Sequence, residues 1–154
     1  MSKRLRLLLA LAGVTSLAVV GAAQASSSTV VTTKQTSLGT ILVTSSGKTL
    51  YLDSADKPPH FACTGSCLKA WPPLKAVGSL KASGAAKSSL LGKTKGPAGE
   101  VVTYAGHPLY TFASDTKSDP TTGEGLNGFY AVSPSGSKVN KTTKKKPSST
   151  SPSY

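Results

Sequence analysis

The chain has 154 residues, of which 18 are basic and 6 acidic, so its formal net charge is +12. Aromatic residues make up 6% and two residues are cysteines, a composition that suits one small domain with a modest core. The serines and glycines follow neither the nucleophile-elbow nor the phosphate-loop spacing, and the sequence contains no recognisable catalytic set. We therefore expect neither an enzyme nor a protein that depends on a cofactor.

Residues 1–25 have the pattern of a secretory signal peptide. Basic residues within positions 3–6 precede an almost unbroken apolar run from Leu7 to Val20, and Ala23-Gln24-Ala25 matches a small-x-small cleavage site. A retained membrane anchor is the alternative, but the apolar run is shorter than the ~20 residues that a span needs. We expect cleavage after this site and a secreted, extracytoplasmic protein of the cell envelope.

The mature chain is predicted to consist of short strands joined by turns. Residues 26–37 are a Ser/Thr-rich lead that contains the first strand, and Ser45-Ser-Gly47 is a hairpin turn. A short helical turn at Cys67–Ala70 ends before two prolines. Residues 75–89 hold mainly Ala, Gly, Ser and Lys and are predicted to be a flexible linker. The predicted strands are Thr29–Thr33, Thr40–Thr44, Lys48–Leu52, Glu100–Tyr104, His107–Phe112 and Phe129–Ser133.

Residues 38–74 and 90–136 are predicted to be two copies of one repeat. Two stretches of the first copy match the second, the later one after a shift of one residue: Gly47–Tyr51 with Gly106–Tyr110, and Cys63–Trp71 with Thr121–Phe129. The period of about sixty residues is longer than that of open solenoids. We expect an all-β fold in which two β-meander repeats pack as a small sandwich or barrel. We also expect one core shared by Leu50, Leu109, Trp71 and Phe129.

Cys63 and Cys67 are predicted to form one disulfide across a short loop. An even number of cysteines in an exported chain favours a bond between them. The second copy has Thr121 and Gly125 at these places. Because glycine stands in place of a cysteine there, we expect the cysteines to hold a loop rather than to take part in a reaction or bind a metal. The alternative is a redox pair, or a soft metal site with His60, for which zinc would need a fourth ligand.

Four stretches of the chain together carry a family pattern: Leu38–Val43, Gly47–Tyr51, Cys63–Leu74, which includes Trp71, and Val102–Tyr110. They resemble the bacterial secreted repeat of unknown function, a group of predicted lipoproteins with a Tyr-x-(Phe/Trp/Tyr)-x-x-Asp motif. The second copy of the motif is complete, with Tyr110, Phe112 and Asp115. The resemblance implies a secreted envelope protein with no established activity.

The chain departs from this family pattern at two points. The first copy of the motif has Tyr51 and Asp56 but places Asp53 where the aromatic residue belongs. The lipid-attachment cysteine that is common in the family is absent near the predicted cleavage site.

Asp56 and Asp115 begin the loops that follow the two Leu-Tyr strands. Aspartates at such places usually bond nearby backbone N–H groups, so we expect Asx turns, with a glycosidase-like carboxylate pair as the alternative. His60 and His107 lie next to prolines, and we expect solvated or backbone-bonded side chains there. The alternative function is an extracytoplasmic metal or haem binding protein that uses these histidines.

The aromatic side chains can form either a carbohydrate-stacking platform or the core. Because they make up only 6% of the chain, we expect the core to take most of them. Trp71 is the only tryptophan and is our candidate for a buried anchor.

Lysines are concentrated in two stretches of the sequence. Residues 75–95 and 138–146 carry five lysines each and no acidic residue, so we expect the basic charge on a linker and a tail rather than on a folded face. Residues 137–154 hold little to bury and are predicted to be disordered. We expect no specific nucleic-acid partner but contact with anionic wall polymers or lipid head groups through Lys138, Lys141, Lys144, Lys145 and Lys146.

Overall fold

The protein is described here by a computed structural model that covers residues 27–58, 60–117 and 120–139. The predicted signal peptide and residues 140–154 of the predicted tail lie outside the described residues. Within them the chain is mostly β, as predicted, with one four-residue helix and two 3-10 turns at Ser88–Leu90 and Leu126–Gly128. The elements are β1 Ser28–Thr36, β2 Gly39–Thr44, β3 Tyr51–Asp53, α1 Cys67–Ala70, β4 Ser79–Ala82, β5 Leu91–Gly96, β6 Gly99–Tyr104, β7 His107–Pro108 and β8 Phe129–Ala131.

The strands of the described residues form three small sheets. In the first sheet β1 pairs antiparallel with β2 and parallel with β4. The second sheet is the antiparallel run β5-β6-β7, and the third is the antiparallel pair β3-β8. The third sheet joins the two predicted repeats, because β3 belongs to the first copy and β8 to the second.

β1 and β2 form because β-branched and aliphatic residues dominate both segments. The β1–β2 connection is tight: Thr36 opposes Gly39, whose φ of +96° favours glycine. Ile41, Leu42 and Val43 are all buried. A continuous apolar run of this kind is expected where both faces of a strand are covered.

The prediction of a flexible linker at residues 75–89 was wrong. Ser79–Ala82 forms β4, whose residues pair with β1 from Ser28 to Val31. Lys75 also makes an isolated bridge to Val101 of β6. The segment has few apolar side chains, of which Leu80 packs against the core. Backbone hydrogen bonds to the edge of β1 also order it, and any residue except proline can donate such a bond.

Two predicted strands are shorter than expected. The segment Lys48–Leu52 enters a sheet only at β3, and His107–Phe112 is a strand only at β7. Tyr110 leaves the β6–β7 hairpin and makes bridges to Tyr51 and Pro73 instead. Pairing with the other repeat therefore replaces the longer local hairpin in the second copy.

The end of each repeat pairs with the other repeat. In β8 of the second copy, Ala131 opposes Tyr51 of the first copy. At the matching place, Pro73 of the first copy opposes Tyr110 of the second. The two repeats thus exchange their terminal segments around a pseudo-twofold axis.

Two rings of backbone hydrogen bonds complete this exchange. The Leu42 N–H donates to the Val132 carbonyl at 2.8 Å, Val132 donates to Leu50 at 3.1 Å, and Leu50 donates to Leu42 at 3.0 Å. A second ring with the same pattern joins Val102, Leu74 and Leu109. Each ring takes two residues from one repeat and the third from the other, so neither repeat satisfies its own backbone groups alone.

The core is divided into two clusters, so the predicted single core was wrong. Leu50 and Leu109 lie in one cluster, whereas Trp71 and Phe129 lie in the other. Because side chains alternate along a strand, β2 sends Leu42 into the first cluster and its neighbours into the second. Both repeats contribute to both clusters.

Trp71 is the buried anchor that we predicted, with 3% of its surface exposed. Its ring lies between Phe129, at 3.8 Å between centroids, and Phe112, at 4.3 Å, and Tyr51 contacts it edge-on at 5.3 Å. Gly123 packs against the ring so closely that a Cβ atom there would lie 2.7 Å from it. Aromatic contacts of this geometry add to the free energy of burial.

The predicted disulfide is confirmed: Cys63 and Cys67 are bonded, with their Cα atoms 5.4 Å apart. The Trp71 N–H donates to the Cys67 carbonyl at 2.9 Å, so the bridge holds the turn that positions the tryptophan. The second repeat has Gly125 at the matching place, where φ is +78° and the backbone N–H donates to the Phe129 carbonyl at 2.8 Å. At matching places, one copy thus has a disulfide-bonded residue and the other a left-handed glycine, and the hydrogen bond to the following aromatic residue runs in opposite directions in the two copies.

We expect Trp71→Ala to reduce the free energy of unfolding by about 3–5 kcal/mol, because it empties a space lined by three aromatic rings. The measurement is urea denaturation followed by far-ultraviolet circular dichroism. Leu126→Ala, at a side chain that is 44% exposed, is the control and should change it by less than about 0.5 kcal/mol. A loss below about 1 kcal/mol for Trp71→Ala would contradict the anchoring role.

Candidate functional site

The family-motif tyrosines meet at the pseudo-twofold axis. The Tyr51 N–H donates to the Tyr110 carbonyl and the Tyr110 N–H donates to the Tyr51 carbonyl, both at 2.9 Å. Both tyrosines are fully buried. The two copies of the motif therefore form one continuous structure at the centre of the molecule.

Each tyrosine donates its hydroxyl hydrogen to the aspartate of the other repeat. The Tyr51 hydroxyl lies 2.8 Å from Oδ2 of Asp115, and the Tyr110 hydroxyl lies 2.8 Å from Oδ2 of Asp56. The first and last residues of the motif thus bond across the axis rather than within one copy. This reciprocal exchange is invisible in either copy taken alone.

The second carboxylate oxygen of each aspartate holds its own loop. Oδ1 of Asp56 accepts a hydrogen bond from the Ala62 N–H at 2.7 Å. Oδ1 of Asp115 accepts from the Thr122 N–H at 3.0 Å and from its hydroxyl at 2.7 Å. The predicted Asx turns were wrong, because these donors lie six and seven residues further on, whereas an Asx turn closes two residues on. The two aspartates also bond to different tyrosines.

The tyrosine hydroxyls stay protonated in this environment. Burial raises the pKa of Tyr51 above its usual value near 10, and the hydrogen bond to Asp115 raises it further. Burial and the bond to Asp56 raise the pKa of Tyr110 in the same way. Neutral phenols that donate to carboxylates stabilise the fold but offer no nucleophile.

The two copies differ at the central position of the motif. Phe112 of the second copy stacks on Trp71, whereas Asp53 of the first copy is buried and accepts a hydrogen bond from the Ala55 N–H at 2.9 Å. Burial raises the pKa of Asp53, the bond from Ala55 lowers it, and the nearby Asp56 raises it. An Asx turn therefore does occur, at a residue where we did not predict one.

The aromatic residues do not form a carbohydrate platform around Trp71. Both of its ring faces are covered, by Phe112 and Phe129. A stacking platform needs a ring face open to solvent, so we assign the aromatic cluster to the core.

The two histidines lie in different environments. His60 is exposed, and its backbone exchanges hydrogen bonds with Lys57. His107 is half-buried, and its Nδ1 atom has no hydrogen-bond partner among the described residues. The described residues contain no group of three or more histidine, cysteine or acidic side chains that could hold a metal ion.

The described lysines lie at the surface, whereas most of the described acidic side chains are buried or half-buried. Of the acidic residues that the structure describes, Asp53, Asp56 and Glu124 are buried, Asp115 is half-buried, and Glu100 alone is exposed. Glu100 lies 3.4 Å from Lys93. Every described lysine is exposed: Lys34, Lys48, Lys57, Lys69, Lys75, Lys81, Lys87, Lys93, Lys95, Lys117 and Lys138. The expectation that the basic charge lies off the folded face was therefore wrong.

The start of the predicted disordered tail is ordered. The Val139 N–H donates to the Ala131 carbonyl at 2.7 Å. The ammonium group of Lys138 lies 4.7 Å from the centre of the Tyr130 ring, a cation–π contact. Residues 137–139 thus belong to the folded domain.

A surface cleft of about 220 Å³ lies beside Asp115. The hairpin turn after β2 forms one wall, and the loop after the second motif forms the other. The lining residues are Ser46, Gly47, Lys48, Asp115, Thr116, Lys117 and Pro120. Sequence reasoning missed this site because its two walls are far apart in the chain.

Two stretches of the sequence, residues 32–75 and 93–132, match the family described as a secreted repeat of unknown function. Together they cover more than half of the chain. The chain belongs to the secreted-repeat family. No curated protein and no solved structure matches it.

The secreted-repeat matches include both tyrosines and the exchanged terminal segments, whereas residues 76–92, which contain β4, lie between the two matches. Among the described residues, no helix is both long enough and apolar enough to cross a membrane.

We expect Tyr110→Phe to reduce the free energy of unfolding by about 1–3 kcal/mol, because Oδ2 of buried Asp56 loses its donor. The measurement is chemical denaturation at neutral pH. Tyr130→Phe is the matched control: Tyr130 is half-buried and its contact with Lys138 needs only the ring, so the change should stay within about 0.5 kcal/mol. Equal losses for the two variants would contradict a specific role for the Tyr110 hydroxyl.

Stability should also fall in alkaline solution. The pKa values of Tyr51 and Tyr110 are higher in the folded protein than in the unfolded chain, so their contribution is complete below about pH 10 and is lost as the pH rises above it. Denaturation midpoints measured from pH 8 to 11 should drop more steeply for the native sequence than for Tyr110→Phe. Parallel curves would show that the Tyr110 hydroxyl does not titrate with unfolding.

Proposed function

We propose that this member of the secreted-repeat family is a non-enzymatic binding module of the cell envelope, and that its partner is an anionic envelope polymer. The observation that carries the proposal is the separation of charge in the folded domain. All described lysines are exposed, whereas the described acidic residues other than Glu100 are buried or half-buried. A polyanion that approaches the described part of the domain therefore meets many ammonium groups and little negative charge.

The polar groups of the family motif support a binding role over a catalytic one. The hydroxyls of Tyr51 and Tyr110 and the carboxylates of Asp56 and Asp115 are engaged with each other or with the backbone. A general base needs a carboxylate within reach of a substrate proton. These groups instead hold the two repeats together.

The proposed binding is electrostatic and depends weakly on the order of units in the polymer. Lysines are spread over strands, loops and the helix, so many orientations bring several of them to a polyanion. Interactions between exposed charges are screened over about 8 Å at physiological salt. Affinity should therefore fall steeply as salt increases.

The lysines that follow Val139 would add to this attraction. Lys141, Lys144, Lys145 and Lys146 lie outside the described residues and carry no acidic neighbours in the sequence. Cation–π contact with Tyr130 fixes Lys138 at the edge of the domain.

The second candidate, a metal or haem binding protein, has weaker support. It would use His60, in the loop after β3, or His107, in β7, and the described residues contain no group of three or more ligands that could hold a metal ion. We therefore keep polyanion binding as the proposal.

The test is retention on immobilised anionic wall polymer in a salt gradient. We expect the mature chain to elute at the highest salt, a chain that ends at Val139 to elute at lower salt, and neither to bind a neutral polysaccharide. The melting temperatures of the two chains should agree, because the removed residues are mainly Lys, Ser, Thr and Pro, which offer little apolar surface to bury. If the truncated chain is not retained at low salt, the folded surface is not a binding surface.

A further inference from the structure

We propose that Asn127 is a modification site, at which the chain deamidates spontaneously to aspartate and isoaspartate when the turn of residues 125–129 opens. Asn127 is exposed, and it is the only asparagine in the chain that a glycine follows. Gly128 has no side chain to shield its backbone nitrogen, so this nitrogen can attack the neighbouring amide readily. The reaction is independent of polyanion binding.

The reaction needs only water as a co-reactant. The Gly128 nitrogen attacks the Cγ atom of Asn127, and the new C–N bond closes a succinimide ring. The side-chain amide nitrogen leaves as ammonia and carries away the proton of the attacking nitrogen. Water then opens the ring. Attack of water at the side-chain carbonyl carbon gives aspartate, whereas attack at the backbone carbonyl carbon gives isoaspartate, whose backbone runs through the side-chain methylene group.

The folded turn holds the reacting atoms apart. The backbone of Asn127 is left-handed, with φ of +51° and ψ of 28°. The ring can close only when the Gly128 nitrogen eclipses the Cβ atom of Asn127. At the observed ψ, the Gly128 nitrogen instead lies close to the plane of the backbone nitrogen of Asn127, rotated away from Cβ. Deamidation therefore requires a large rotation about ψ of Asn127.

Hydrogen bonds on both sides of Asn127 oppose this rotation. The Gly125 N–H donates to the Phe129 carbonyl at 2.8 Å. The Gly128 carbonyl accepts hydrogen bonds from the Ser54 N–H at 3.0 Å and from the Ser54 hydroxyl at 2.9 Å. Ser54 belongs to the first repeat, so the turn is tied to the opposite half of the molecule. The rate of deamidation therefore depends on how often this joint between the repeats opens.

Isoaspartate would weaken the joint that keeps the turn closed. It adds a methylene group to the backbone before Gly128, so the Gly128 carbonyl loses its present alignment with Ser54. The next residue, Phe129, is buried and stacks on Trp71 at 3.8 Å between ring centroids. A change at an exposed side chain would thus reach the core.

The left-handed backbone explains why a reactive residue lies here. Among residues that carry a side chain, asparagine is one of the most frequent at positive φ. The first repeat has Lys69 and Ala70 at the matching places, and there the chain forms the helix α1. Its turn therefore needs no asparagine, and the modification is confined to the second copy.

The first experiment follows deamidation of the full mature chain at mildly alkaline pH, in buffer and in concentrated guanidinium chloride, by peptide mapping with mass spectrometry. We expect Asn127 to react at least roughly tenfold more slowly in buffer, because only the open turn reacts. Asn140 precedes Lys141 and is the control within the chain; in denaturant it should react more slowly than Asn127. Equal rates for Asn127 in both solutions would overturn the protection by the turn, and no reaction of Asn127 in denaturant would overturn the site.

The second experiment compares urea denaturation midpoints before and after incubation. Asn127→Gly cannot deamidate and suits the positive φ, so its midpoint should not change on incubation. Gly128→Ala is avoided, because φ is +90° there and a Cβ atom would lie 3.1 Å from Oγ of Ser54.

The native chain that carries isoaspartate, separated by ion-exchange chromatography, should unfold at lower urea than the unmodified chain. Asn127→Asp supplies the same charge with a normal backbone, and its midpoint should stay close to that of the native chain. If the isoaspartate form and Asn127→Asp have equal midpoints, the longer backbone does not weaken the joint between the repeats, and that part of the proposal is wrong.

Discussion

The fold depends on the reciprocal contact between Tyr51 and Tyr110. Their backbones exchange two hydrogen bonds at the pseudo-twofold axis, and each hydroxyl reaches the aspartate of the opposite repeat. The same axis relates the two rings of backbone hydrogen bonds that close the sheets. A repeat without its partner would lose a strand neighbour and the tyrosine hydroxyl that donates to its motif aspartate. Both halves are therefore expected to fold together as one cooperative unit.

The acidic side chains explain how a basic protein acquires such an uneven surface. Asp53, Asp56, Asp115 and Glu124 each accept a hydrogen bond from a backbone N–H group. Carboxylates can be buried when hydrogen bonds compensate the loss of solvation. Here the carboxylates accept hydrogen bonds from backbone N–H groups that have no strand partner in the irregular loops. The lysines have no comparable use inside the domain, so they remain in solvent. The separation of charge is thus a consequence of the hydrogen bonds that hold the loops. The polyanion binding that we propose depends on this separation.

The cleft and the exchanged core are linked through Tyr51. Its ring packs on Trp71, and its hydroxyl holds Asp115 and contacts the Pro120 carbonyl at the cleft wall. The interactions that stabilise the core therefore also set the shape of the cleft.

The sequence alone determined the features that depend on residues close together in the chain. β-Branched runs predicted β1, β2 and β6, and the even number of cysteines in an exported chain predicted the disulfide. The repeat register aligned Trp71 with Phe129. Only the tertiary structure decided which segment pairs with which. β4 has few apolar side chains and becomes a strand because the edge of β1 supplies hydrogen bonds. The acceptors of the Tyr51 and Tyr110 hydroxyls lie in the opposite repeat, and contacts across the pseudo-twofold axis leave no periodic trace in the sequence. The lysines counted as linker lie on the folded surface because their segment pairs with β1 and bridges to β6, which are distant in the chain.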